Sequence, residues 1–232
     1  MENSVDGKVL ALIHIASAGP SIGYKVFKGT PLKRSLAYKY LKEMEEGGWL
    51  RTEIVGKTNA GLDKKAYGLT VLGLCHAFRR APYEAWDILI ERWSSLMPLV
   101  LGKWRHFSEV GVEDLAHWRL ERACLALTGR WMPTHSSGWM APKSRERLNF
   151  KLSDEELVIY YFYDPWITYE RNDPFRENLS DEKMQRWLKA CTSDSEISAY
   201  YMKELERLEE GHNQSLKEVK LIKEAFHQKE SI

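Results

Sequence analysis

The sequence predicts a mainly α fold of the α+β class. Residues 1–80 are expected to form one domain of helices and a β-hairpin, and residues 81–232 a mostly helical domain that holds a second hairpin. Apolar residues recur every three or four positions through most of the chain, as in amphipathic helices. Strand-like alternation flanks the turn-rich segment 56–63 and returns after residue 147. Ala81-Pro82 marks the expected domain boundary.

Residues 6–17 form the first predicted helix, because their apolar side chains share one face: Val9, Leu10, Leu12, Ile13 and Ala16. Gly19-Pro20 ends it. Ser21 is the expected N-cap of a short second helix that runs to Val26 or Phe27.

A third helix is predicted over residues 31–46. Thr30 followed by Pro31 is typical of a helix start, with threonine as the cap and proline at the first helical position. Gly47-Gly48 is expected to end the helix with a left-handed residue.

A hairpin follows over residues 49–69, with strands at Trp49–Val55 and Lys64–Leu69. Thr70 is the expected cap of a fourth helix over Val71–Arg80. The predicted order of residues 1–80 is therefore three helices, two strands and a fourth helix. This is the order of a winged helix-turn-helix, in which the hairpin is the wing.

The second domain is predicted to begin with helices over 83–103 and 112–130 and a loop over 131–145. Strands are then expected at 147–152 and 157–163, because the first alternates and the second is β-branched and aromatic. Ser153 to Glu156 would be the turn between them. The same four residues also match a capping box, which would favour a helix instead.

Helices over 180–190 and 193–226 are expected to close the chain, the second with a capping box of Ser193 and Glu196. An amphipathic stripe runs along it: Ile197, Tyr201, Leu205, Leu208, His212, Leu216, Val219 and Phe226. A monomer would have to cover this stripe in another way, so the chain is expected to be a homodimer held mainly by residues 81–232.

The net charge of +1 conceals an asymmetry between the two domains. Residues 1–80 hold 13 Lys and Arg against 7 Asp and Glu, a net charge of +6, whereas residues 81–232 hold 21 against 26, a net charge of −5. A basic module joined to an acidic domain indicates that the module binds an anion.

We expect a cytoplasmic protein, because no apolar run is long enough to span a bilayer and residues 1–20 lack a secretory signal.

The anion that best fits the third helix is duplex DNA. Leu36, Ala37, Tyr40, Leu41 and Met44 are predicted to face inward, which leaves the opposite face to polar and basic side chains that can contact base edges and phosphates. Cations on a hairpin suit phosphate or minor-groove contact. The predicted DNA-binding residues are Arg34, Ser35, Tyr38, Lys39 and Lys42 on the helix, and Arg51, Lys57, Lys64 and Lys65 on the wing.

Three stretches of residues 7–78 resemble the winged helix-turn-helix regulators of the PadR-like and MarR-like families. The segment 19–24 (GPSIGY) is similar to a Gly-Pro-x-x-Gly-Tyr stretch of PadR-like proteins, and 41–50 (LKEMEEGGWL) to the end of their recognition helix. The segment 67–73 (YGLTVLG) is similar to the Tyr-x-Leu-Thr-x-x-Gly stretch that ends the wing. The resemblance implies a dimeric transcription regulator whose third helix reads the major groove.

Other chemistry has little support in the sequence. Arg51 stands where the phosphate-binding loop motif needs glycine, and no GxSxG, HxxxH or CxxC motif occurs. We therefore expect no enzyme activity, no metal and no cofactor. The three cysteines are expected to be buried thiols, and Cys75-His76 to be structural.

Two alternatives remain beside the DNA-binding regulator. One is a winged helix that serves as a protein–protein module without DNA sequence specificity, and the other is an enzyme with an accessory winged helix. A small-molecule effector pocket in residues 81–232 would be lined by aromatic side chains: Tyr160, Tyr161, Phe162, Tyr163, Trp166 and Tyr169. The commoner role of such a group is to fill a core.

Overall fold

The computed structural model of the chain describes residues 6–58, 61–129, 152–163, 181–203 and 206. It is mainly helical with a small antiparallel sheet, so the predicted α+β class is confirmed. The elements up to residue 78 are α1 (Gly7–Ala18), β1 (Ser21–Ile22), α2 (Gly23–Lys28), α3 (Arg34–Glu46), β2 (Leu50–Lys57), β3 (Asp63–Leu69) and α4 (Val71–Phe78).

The sheet has three strands in the order β1-β3-β2, all antiparallel. The predicted hairpin pairs Leu50 with Leu69 at its base, and a bulge lies between Ile54 and Lys57. The short strand β1 was not predicted; it pairs Ser21 with Tyr67 on the other side of β3. Near the base of the hairpin, β3 is therefore paired along both of its edges, with β1 and with β2.

The sheet and the first helices enclose one apolar core. Helix α1 packs on α3 and α4, and α2 packs on α3. The fully buried side chains of this core include Ala11, Leu12, Ile15, Val26, Ala37, Leu41, Leu69 and Leu74.

Of the three N-caps predicted before residue 80, two are wrong and one is confirmed. The Ser21 hydroxyl donates to the carbonyl oxygen of Gly19, and the Thr30 hydroxyl donates to that of Val26, so neither caps the helix that follows. Helix α3 accordingly begins at Arg34 instead of Pro31. Thr70 caps α4 as expected, since its Oγ1 accepts from the backbone N–H of Gly73 at 3.1 Å.

The single helix predicted over 83–103 is wrong, since a 3-10 turn and α5 (Trp86–Trp93) are followed by further 3-10 turns before α6 (Trp104–Val110). Proline disfavours the helical conformation in the residue before it, and Met97, which precedes Pro98, has φ −137° and ψ 73°. Helix α7 (Glu113–Leu127) agrees with the prediction over 112–130.

The hairpin predicted over 147–163 is wrong, because residues Asp154–Tyr163 form a helix, α8. The capping box decides the outcome: the Ser153 N–H donates to Glu156 Oε2 at 2.7 Å, and the Glu156 N–H donates to Ser153 Oγ at 3.2 Å. The predicted strand 147–152 and the loop 131–145 lie almost wholly outside the described residues.

Contacts divide the chain into two units, Met1–Leu179 and Ser180–Ile232. The boundary expected after residue 80 stays a prediction; across it, the indole Nε1 of Trp93 in α5 donates to the carbonyl oxygen of Ala16 in α1 at 2.8 Å, and α4 packs on α7. In the described part, none of the helices is both long and apolar enough to span a membrane.

The second unit holds α9 (Asp181–Ser193) and a further helical segment, residues 195–203. Asp194 caps this segment, because its Oδ1 accepts from the N–H groups of Glu196 and Ile197 at 3.0 and 3.1 Å. Ser193, the predicted cap, instead donates to the carbonyl oxygen of Ala190. The predicted stripe lies mostly outside the described residues; within them, Ile197 is buried and Tyr201 is half-buried.

Candidate nucleic-acid interface

Helix α3 exposes one face and buries the other, as an interface helix must. Ala37, Leu41 and Met44 form its buried stripe. The five predicted contact residues all lie on the exposed surface: Arg34, Ser35, Tyr38, Lys39 and Lys42. The first turn of α3 contains no acidic residue. The positive end of the helix dipole and the Arg34 guanidinium therefore both favour an anion there.

The inward position predicted for Leu36 is wrong, since its side chain is 38% exposed. At 100° per residue, Leu36 lies about 100° around the helix from Ala37, whereas Leu41 and Met44 lie within about 40° of it. Around the helix, Tyr40 lies between Leu36 and Ala37, and its side chain is half-buried. Leu36 therefore adds an apolar side chain to the outer surface of α3.

The Tyr38 ring lies against the start of α2. A Cβ atom at Gly23 would lie 2.6 Å from Cε1 of this ring, so the ring packs closely on the backbone of Gly23. The Arg34 guanidinium carbon lies 5.9 Å from the ring centroid, within cation–π distance. Tyr38 is 39% exposed, so part of the ring and the cation beside it face solvent.

Glutamates of α3 lie beside two of the predicted cations of the same helix. Lys39 Nζ lies 3.8 Å from Glu43, and Lys42 Nζ lies 3.6 Å from Glu46. The side chains of the two lysines are 65% and 76% exposed. Solvent-exposed i,i+4 pairs contribute about 0.3–0.5 kcal/mol each. Phosphate oxygens could therefore replace these glutamates as partners at small cost.

The hairpin base lies beside the C-terminal half of α3. Lys65 Nζ lies 3.6 Å from Glu45, and the Thr52 hydroxyl donates to the same carboxylate at 2.9 Å. Burial raises the pKa of the Tyr67 phenol above its ordinary value, and the charges of Glu45 and Tyr38 raise it further. Lys65 is thus positioned by an acidic residue of α3, which the sequence analysis did not foresee.

The remaining wing residues lie along the hairpin strands. Arg51 is exposed near its base, next to Gly68. Lys57 is exposed at the outer end, opposite Asp63, and Lys64 is half-buried on the next position of β3. The structure therefore groups the helix residues on one surface and spreads the wing residues along the hairpin.

An apolar group at the outer end of the hairpin was missed. Ile54, Val55 and Leu62 are 62%, 49% and 69% exposed. The sequence did contain a signal for this exposure. Ile54 and Val55 are consecutive in β2, and consecutive side chains of a strand point to opposite faces, so both cannot face the core. Three large exposed apolar side chains at one end of a hairpin mark a candidate contact region, although Ile54 and Val55 are consecutive in the strand.

The aromatic residues predicted as an effector pocket form part of a core as far as the structure describes them. Tyr160, Tyr161, Phe162 and Tyr163 are buried in α8, which packs on α7. The Arg119 guanidinium donates to the Phe162 carbonyl oxygen at 2.9 Å, and the Tyr163 hydroxyl donates to that of Leu99. Trp166 and Tyr169 lie outside the described residues, and an effector site in residues 81–232 stays a prediction.

The cysteines are buried, as expected. Burial raises the pKa of the Cys124 thiol well above its ordinary value, and a hydrogen bond with Cys75 raises it further. His76 stacks on Trp49, with ring centroids 4.0 Å apart, which agrees with the structural role expected for Cys75-His76.

A group of possible metal ligands in α5 and α7 was not predicted. Asp87, Glu113 and His117 place one ligand atom each within 4.8 Å of one another. Burial lowers the pKa of the His117 imidazole, although the charges of Glu113 and Asp87 act against this shift. The spacing of four between Glu113 and His117 was the available signal, because it places two side chains on one helix face.

No family model matches the chain, and neither a curated protein nor a solved structure matches it.

Proposed function

We propose that the chain is a DNA-binding transcription regulator. In this proposal the elements up to Phe78 act as a winged helix-turn-helix, in which α3 reads the major groove and the β2–β3 hairpin contacts the backbone or minor groove. The likeness to PadR-like and MarR-like regulators supports it. The exposed face of α3 carries the proposal, since Arg34, Ser35, Tyr38 and Lys39 extend from its first two turns.

The size and charge of this helix fit the groove. A major groove about 12 Å wide admits one α-helix, and helix-turn-helix proteins contact base edges with the N-terminal residues of the second helix. Arg34 and Lys39 offer donors to guanine O6 and N7, and Ser35 can bond to either kind of base edge. The glutamates of α3 stand at residues 43, 45 and 46, in its last turn or close to it, where their repulsion of phosphate is least harmful.

Electrostatics supply most of the expected affinity. The first 80 residues carry a net charge of +6, so a dimer should neutralise several phosphates and release their counterions. If about 6–10 phosphates are contacted, the affinity for duplex DNA falls by about 10³–10⁵ between 50 and 200 mM salt.

The proposal is tested by fluorescence anisotropy of the full chain with labelled genomic duplexes at several salt concentrations. The double variant Arg34→Ala, Lys39→Ala should bind more weakly and discriminate less between duplexes. The matched control Lys189→Ala removes an exposed lysine of α9 and should bind like the parent chain. A flat salt response, or no binding at 50 mM salt, would contradict the proposal.

The second candidate is a protein–protein module, and the apolar group at the end of the hairpin favours it. Ile54, Val55 and Leu62 offer a contact surface that a wing on phosphates does not need. Under this alternative, Leu62→Ser abolishes capture of a protein partner while the chain shows no salt-dependent duplex binding. Cytoplasmic location and homodimer formation remain predictions under both functions.

A further inference from the structure

The group formed by Asp87, Glu113 and His117 lies between two helices of the first unit, outside the surface proposed for DNA. Asp87 comes from α5, whereas Glu113 and His117 stand one turn apart on α7. One ligand atom of each residue lies within 4.8 Å of the other two. In the described part of the chain, neither carboxylate forms a salt bridge with lysine or arginine, so the close approach of two acids has no cation to balance it.

His117 has the tautomer and burial of a metal ligand. Its side chain is buried, with 8% exposed. The ring Nδ1 lies 3.1 Å from the carbonyl oxygen of Glu113, and since a carbonyl oxygen only accepts, Nδ1 carries the proton. The lone pair is then on Nε2, which hydrogen-bonds to none of the described residues. A histidine that donates its other ring N–H to a backbone carbonyl is the usual arrangement at metal sites.

Trp104 holds the second ligand in place. Its indole Nε1 donates to Glu113 Oε1 at 3.3 Å, so the carboxylate is oriented by a residue that is not itself a ligand. The Trp104 ring also lies 4.7 Å from the His117 ring, as does that of Tyr83, and Trp86 lies 5.7 Å from it. These three rings enclose His117, while Asp87 is exposed and gives solvent ions a way in.

We propose that Asp87, Glu113 and His117 bind a divalent transition-metal ion of the Zn²⁺ type. One imidazole nitrogen and two carboxylate oxygens are ligands that Zn²⁺ accepts, at about 2.0–2.2 Å. Tetrahedral ligands at that length are about 3.3 Å apart. The three ligand atoms therefore need to close by at most about 1.5 Å, which is within the reach of side-chain rotation. Three protein ligands leave at least one position for water.

Isothermal titration of the chelator-treated full chain with ZnCl₂ tests this site. We expect one Zn²⁺ per chain, and binding at least 10-fold weaker in Asp87→Asn and in His117→Gln. Asp87 is exposed, so its variant should keep the fold even if the His117 variant does not. Glu109→Gln and His106→Gln are the matched controls, because they remove a carboxylate and an imidazole of the neighbouring helix α6 that are not members of the group, and both should bind like the parent chain.

Trp104→Phe tests the positioning role, because it keeps an aromatic ring and removes the N–H that orients Glu113. Loss of such a partner typically weakens metal binding 10- to 100-fold. Co²⁺ in place of Zn²⁺ should give d–d bands without a thiolate charge-transfer band. The proposal is overturned if the parent chain does not bind Zn²⁺, if Asp87→Asn and His117→Gln bind like the controls, or if a thiolate band shows that cysteine holds the ion.

Discussion

The carbonyl oxygen of Trp49 lies 1.9 Å from the point where a Cβ atom would stand on residue 73, so only glycine fits there. The same carbonyl accepts the backbone N–H of Thr70 at 3.0 Å, and the Thr70 hydroxyl donates to the carbonyl of Gly48 at 2.7 Å. The start of α4 is thus packed directly on the junction between α3 and β2.

Gly73→Ala should destabilise the protein by about 1–3 kcal/mol, because backbone atoms must move to admit the methyl group. A stability change of 1 kcal/mol shifts the melting temperature of a protein of this size by roughly 2–4 °C. Gly102→Ala is the control, since its Cβ atom would have its nearest neighbour at an ordinary 3.6 Å. Equal melting temperatures for the two variants would contradict the packing at Trp49.

Leu36→Ala should cost less than about 1 kcal/mol of stability, because the side chain is exposed on α3. Leu41→Ala on the buried face of the same helix should cost about 2–5 kcal/mol. Chemical denaturation of both variants measures the difference. If Leu36 also contacts thymine methyl groups, its variant should bind cognate DNA more weakly at unchanged stability.

Lys57→Ala and Lys64→Ala should weaken binding to all duplexes alike and reduce the salt slope by about one unit each, because phosphate contacts carry no sequence information. Lys39→Ala should cost about 1–3 kcal/mol on a cognate site and relax the preference at one base position. Titrations against cognate and scrambled duplexes separate these effects. Unchanged affinity and preference in Lys39→Ala would show that α3 is not the reading helix.

The chain should be a homodimer that places two α3 helices about 34–36 Å apart on a near-palindromic site. Light scattering at micromolar concentration measures the mass. Leu216→Glu and Val219→Glu interrupt the apolar stripe predicted from the sequence and should give monomers, whereas Gln214→Glu adds the same charge off the stripe and should not. A monomeric parent chain would refute the prediction.

The free energy of unfolding should fall as the pH drops below about 6.5, and His14 should contribute to this fall. Burial lowers the pKa of His14 from its ordinary 6.5, so below that value the unfolded chain binds more protons than the folded one. The contribution is fully present above pH 6.5 and is lost as the pH falls through the folded-state pKa. Denaturant unfolding at pH 7.5 and 5.5 should show a smaller difference in His14→Gln than in the parent chain; an equal difference would exclude His14.

The sequence predicted α1, α4 and α7 to within about three residues at each end. It failed where a hydroxyl had two possible partners. Ser21, Thr30 and Ser193 all looked like N-caps, yet each donates to a carbonyl oxygen two to four residues before it. Which partner the hydroxyl takes depends on the backbone geometry at the end of the preceding element. The spacing of residues along the chain carries no information on that geometry.

The exposed helix residues of the candidate interface were predictable from the period of α3, apart from Leu36 at the edge of the buried stripe. The ion pair of Lys65 with Glu45 was not, because it depends on how the hairpin packs on α3. The group of Asp87, Glu113 and His117 joins residues 26 and 30 positions apart, so only the packing of α5 near α7 brings it together.

Helix α8 buries a segment whose composition favours β-aggregation. Leu157–Tyr163 (LVIYYFY) contains no charge, glycine or proline and is rich in β-branched and aromatic residues, which is the composition of segments that assemble into cross-β fibrils. In the folded chain the helix buries these side chains from Val158 onward. We therefore expect resistance to amyloid-like aggregation to depend in part on two hydrogen bonds at one helix start, where Ser153 and Glu156 cap each other.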